Sequence, residues 1–89
     1  MQFSTQDLLA SARHKKVAAY VMNMFAHSER KKYSLAARHL RIHYGIDVDP
    51  KVLKNNKTAI MAAFSTDFDP AEEEQSIRRE AEQVNGSLM

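Results

Sequence analysis

Cysteine is absent from the 89-residue sequence, and glycine and proline occur only twice each. Without cysteine the chain can form neither disulfides nor zinc–thiolate sites, and it has no thiol nucleophile. Without glycine-rich segments it has no phosphate-cradling loop of the P-loop or dinucleotide type. A nucleophile motif is missing as well. We therefore expect a non-enzymatic protein that carries no cofactor.

Long apolar runs are also missing. No run approaches the roughly 18 residues that a membrane-spanning helix requires, so the sequence predicts no contact with a membrane. The lack of cysteine fits a reducing compartment, and we expect an intracellular protein of the nucleus or cytoplasm. Hydrophobic residues make up 44% and charged residues 27%, which is typical of a folded domain rather than a disordered chain.

The net charge of +2 is the sum of two halves of opposite sign. Residues 1–57 carry eleven Lys/Arg against four Asp/Glu, whereas residues 58–89 carry two against seven. A basic body with an acidic tail indicates an anionic partner, or a tail that folds back on the body. We accordingly divide the chain into a basic helical core domain, residues 1–66, and an acidic C-terminal helix and tail, residues 67–89.

Apolar spacing and capping residues predict an all-α fold, a small bundle of four to five helices. Ser4, followed three residues later by Asp7, forms a capping-box pattern for a first helix. We expect this helix to continue to about His27. The alternative is a break between Arg13 and Lys16, where charged residues interrupt the apolar stripe.

The segment from Lys31 to Pro50 organises the middle of the chain. Ser34 is expected to cap a short helix from Leu35 to about Tyr44, and Gly45 is expected to end it in a left-handed conformation. The remaining helix starts are two Asp-Pro dipeptides, since an acidic cap followed by proline favours a first turn.

The dipeptides at 49–50 and 69–70 predict helices that run to about Phe64 and about Val84. On the short helix before them, Leu40 marks one apolar face, while Leu35 and Ile42 mark the opposite one. A helix that is apolar on two sides is expected to be sandwiched between others.

A histidine pair on this helix is the first candidate for a metal site. His39 and His43 are four residues apart, a spacing that can chelate a metal on a helix. Arg38 and Arg41 lie beside them, and no carboxylate stands at a familiar metal-site offset. We therefore expect no metal site.

Basic residues form the stronger functional signal, because lysine and arginine on helices bind the phosphates of nucleic acids. The alternative is an ordinary solvated surface. The residues expected to contact phosphate, called the basic set below, are Arg30, Lys31, Lys32, Arg38, Arg41, Lys51, Lys54 and Lys57.

The sequence YGIDV at residues 44–48 ends the short helix with an aromatic-Gly-aliphatic-Asp-aliphatic pattern. This pattern resembles the DEK-type C-terminal domain. The order of helices from Val17 to Phe64 is similar to winged-helix-type three-helix domains, including the linker-histone globular domain. The resemblance implies a winged-helix-like or helix-turn-helix-like core without an evident β-wing. It also implies DNA binding through residues on and after the second and third helices, here Arg38, Arg41, Lys51, Lys54 and Lys57.

DNA or another polyanion is therefore the expected partner, and a protein-interaction role is the alternative. In that role the chain would be a small adaptor or inhibitor, such as a host or viral accessory factor. Two groups of apolar residues favour it because they exceed what one small core needs. The first is Met22, Ile42, Val52 and Phe68. The second is a seam on the last helix, expected to serve a homodimer or protein partner, formed by Ile77, Ala81, Val84 and Leu88.

Overall fold

The computed structural model describes the backbone of residues 2–87 and the side chains of residues 2–77 and 79. Within that range the chain is mostly helical, and a π-helical turn at Leu40–Tyr44 continues the third helix. The described residues form no strand, and an isolated β-bridge joins Phe3 to Val48. The all-α prediction is confirmed. The helices are α1 Thr5–Ala10, α2 Ala12–Met24, α3 Lys32–His39, α4 Pro50–Asn55, α5 Lys57–Met61 and α6 Pro70–Ser87.

The prediction of an uninterrupted first helix is wrong, because the helix is interrupted at Ser11. That residue is extended (φ −109°, ψ 119°), and its hydroxyl accepts the backbone N–H of His14, so it starts α2 as a new helix. The break also precedes the alternative position between Arg13 and Lys16. The capping box of α1 is confirmed: the Ser4 hydroxyl accepts the Asp7 N–H at 3.2 Å, and the Asp7 carboxylate accepts the Ser4 N–H at 3.0 Å.

Helix α3 begins earlier than Ser34 predicts. Lys31 adopts a left-handed conformation (φ 59°), and the helix starts at the next residue, which places Ser34 inside it. The predicted end is confirmed, since Gly45 is left-handed (φ 71°). There the Ile46 N–H donates to the Leu40 carbonyl at 3.1 Å, a bond that closes the widened last turn.

The helix predicted from Pro50 to about Phe64 is divided in two. The start is confirmed, since the Asp49 carboxylate accepts the Lys51 N–H at 2.8 Å. At Asn56 the backbone leaves helical geometry (φ −117°, ψ 20°), and its side-chain amide donates to the Val52 carbonyl at 2.8 Å. The two breaks explain why residues 2–87 form six α-helices where the sequence predicts four or five.

One face of α3 lies in the core, and the prediction of a sandwiched helix is wrong. Ala36, Ala37 and Leu40 are buried, with Leu40 at 0% exposure, because α3 packs against α2 and α4. On the opposite side Leu35 is 38% exposed and Ile42 is 52% exposed. The π turn packs instead against α6.

Helix α6 lies against the body. The Asp69 carboxylate caps its first turn by accepting the N–H of Ala71 and of Glu72. Just before it, the Phe68 ring packs on Tyr20 with centroids 4.7 Å apart. Ile77, predicted to belong to an intermolecular seam, is 8% exposed and part of the core.

Three other seam residues, Ala81, Val84 and Leu88, lie outside the residues whose side chains the structure describes. The helix itself continues through Val84 to Ser87. Much of the apolar surplus is also used internally. Met22 is buried, and Val52 and Phe68 pack against the core as partly buried residues.

Candidate nucleic-acid interface

The basic set lies at the surface. Seven of its eight members are exposed, and Lys32 is half-buried with its ammonium 5.4 Å from the centroid of the Tyr33 ring. Among the residues whose side chains are described, no member of the basic set forms an ion pair. The charges that the sequence assigns to phosphate contact are therefore accessible to an anion.

The fold gathers members of the basic set that are distant in sequence. Lys32, at the start of α3, and Lys57, at the start of α5, line the same surface depression. Arg38 and Arg41 line a second groove together with Pro50, the first residue of α4. Since α3 packs against α4, the basic set follows one pair of adjacent helical segments, α3 and α4–α5.

The arginine groove has mixed charge. Its volume is about 310 Å³, and Asp47 and Asp49 line it beside Arg38 and Arg41. One carboxylate, that of Asp49, also accepts the Lys51 N–H as a helix cap. Carboxylates in the same groove reduce the attraction of the arginines for phosphate. We therefore expect the lysines of α4 and α5 to contribute most to an electrostatic contact.

The acidic first turn of α6 pairs with residues outside the basic set. The Glu73 carboxylate contacts the Arg13 guanidinium at 3.0 Å, and Arg13 also donates to the Ser76 hydroxyl. Glu74 lies 3.9 Å from Nδ1 of His43 in the π turn. The Arg13–Glu73 ion pair joins the acidic helix to α2, and α6 also packs against the π turn.

His39 and His43 stack with ring centroids 4.2 Å apart. No group of three or more His, Cys, Asp or Glu in the described part of the chain is placed to hold a metal ion. Burial lowers the pKa of His39 from its ordinary value, and the neighbouring His43 adds to this effect against the opposing charge of Glu74. Burial also raises the pKa of Tyr44 to about 12.

Acidification is expected to destabilise the fold through His39. Because the folded state depresses the pKa of His39, the unfolded chain binds the proton more readily. The free energy of unfolding therefore falls as the pH drops below the ordinary value of 6.5. Urea unfolding of the wild type and of His39→Gln, at about pH 7.5 and about pH 5.5, measures this loss.

The variant is expected to lose less stability than the wild type between the two pH values. His27→Gln, which removes an exposed histidine, is the control for the loss of an imidazole. Equal losses in the wild type and His39→Gln would show that His39 does not carry the effect.

An apolar depression between α2, α3 and α5 is a feature that the sequence does not indicate. It is lined by Met22, Ala26, Lys32, Tyr33, Lys57 and Met61 and has a volume of about 70 Å³. Only the packing of three helices brings these side chains together, so no local motif could have identified them.

No helix within the described range combines the length and apolar character needed to cross a bilayer. Comparisons with protein-family models, curated protein sequences and solved structures found no significant match.

Proposed function

We propose that the protein is a non-enzymatic nucleic-acid-binding module that contacts the phosphates of duplex DNA through the basic set. The observation that carries this proposal is the position of the acidic helix. Glu73 pairs with Arg13 and Glu74 lies beside His43, and among the side chains that the structure describes no carboxylate of α6 forms an ion pair with the basic set.

The chemistry of this contact is electrostatic. Each lysine or arginine that neutralises a phosphate releases condensed counterions, and this release supplies most of the affinity of non-specific binding. The resemblance to winged-helix-type domains supports the same role for the α3 and α4–α5 segments. Contacts to phosphates carry no sequence information directly, so we expect the proposed contact to be independent of the DNA sequence.

Salt dependence tests the proposal. Fluorescence anisotropy of a labelled duplex should report binding at micromolar protein in about 50 mM salt, and the affinity should fall about threefold per neutralised phosphate at about 200 mM. A duplex that does not bind at micromolar protein in the lower salt would refute the proposal. Binding that is insensitive to salt would refute its electrostatic basis.

A protein-interaction role is the second candidate, and the apolar depression favours it. Neither phosphates nor sugars require an apolar cavity lined by two methionines. This surface therefore favours a partner that carries an apolar side chain.

A further inference from the structure

The depression is lined by apolar side chains and by two cationic ones. Met22 and Met61 contribute unbranched, polarisable side chains that adapt to the shape of an inserted group. Among its described lining residues only Lys32 and Lys57 carry charge, and Lys57 is exposed. A ligand that matches both properties has an apolar group close to a negative charge.

The volume of the depression limits the size of the apolar group that it can enclose. Its volume of about 70 Å³ is less than half of the roughly 150 Å³ cavity that admits a benzene ring. A nucleobase is larger than benzene and would not be enclosed. A single branched aliphatic side chain is a better match.

We propose that the depression is a docking site for an acidic protein segment, which inserts one leucine-sized side chain and places its carboxylates beside Lys32 and Lys57. An apolar anchor in a pocket gives affinity, and complementary charge around it gives specificity and a faster association rate. The two lysines also belong to the basic set, so the acidic segment and duplex DNA would compete for them.

Two synthetic peptides of alternating glutamate and serine test this site, one with a central leucine and the other with serine there. Methionine methyl NMR of the full chain reports on the depression through Met22 and Met61. The leucine peptide should shift both methionine signals saturably. The serine peptide should bind at least roughly tenfold more weakly. Ala26→Leu should fill the depression and abolish these shifts. Ala71→Leu, at an exposed alanine of α6, should preserve them.

The proposal is overturned if neither peptide shifts the methionine signals up to millimolar concentration, or if both shift them equally. Unchanged peptide binding by a folded Ala26→Leu variant also contradicts it. A mononucleotide that produces the same shifts would assign the depression to nucleic acid instead. Because Ala26→Leu keeps every charge, its duplex affinity should equal that of the wild type, so the two proposed surfaces can fail separately.

Discussion

Replacing Leu40 with alanine is expected to lower the free energy of unfolding by about 3 kcal/mol. Leu40 is fully buried, so the substitution removes apolar contacts and leaves a cavity beneath α3. A domain of this size has a total stability of roughly 5–13 kcal/mol, so the loss is a large share of it. The melting temperature should fall by roughly 15 °C.

Leu35→Ala is the matched control, since it makes the same chemical change in α3, the helix that the π turn of Leu40 continues. Leu35 is 38% exposed, and its truncation should cost about 1 kcal/mol or less. Urea unfolding followed by far-UV circular dichroism measures both variants. Equal losses would mean that α3 is packed on two sides, contrary to the structure.

Removing two lysines from α4 is expected to reduce duplex affinity about 60-fold in about 0.1 M salt. The variant is Lys51→Gln/Lys54→Gln, and both residues are exposed. Each neutralised phosphate contributes about 0.9 to the slope of log affinity against log salt, so the slope should flatten by about 1.8. Anisotropy titrations across a salt series measure the affinity and the slope together.

Lys15→Gln/Lys16→Gln removes the same charge from α2 and serves as the control. Lys16 lines a surface groove with Glu73, on the side of the molecule where α6 contributes its carboxylates. Its loss should leave the slope close to that of the wild type. If the two double variants lose affinity equally, binding depends on net charge alone and the basic set is not an interface.

Helix caps were predictable from the sequence because they are local. The bonds between Ser4 and Asp7, the Asp49 cap and the left-handed Gly45 each involve residues only a few positions apart. Leu40 was predictable for a related reason, since helical periodicity places it on the same face as Ala36 and Ala37.

The breaks within the predicted long helices depend on tertiary structure. The Asn56 side chain donates to the Val52 carbonyl and also lies 3.5 Å from the Thr5 hydroxyl, a contact between the α4–α5 junction and α1 that no local pattern reveals. Ser11 is compatible with a helix interior as well as with a cap. In the structure it caps α2, and α1 packs against α2.

The candidate interface was predictable only in part. The sequence identified exposed basic residues, but it could not show which groups the acidic helix would contact. Glu73 pairs with Arg13, sixty positions earlier in the chain. Asp47 and Asp49 likewise enter the groove of Arg38 and Arg41 because the chain returns beside α3.

Amide chemical-shift mapping of the full chain during titration with a short duplex tests the central claim most directly. We expect the largest shifts in residues 30–41 and 51–57, and little change at Lys15, Lys16 or the first turn of α6. Raising the salt concentration should reverse the shifts. Shifts confined to α1, α2 or α6, or no shifts at micromolar to millimolar duplex, would contradict the assignment of the basic set as the nucleic-acid interface.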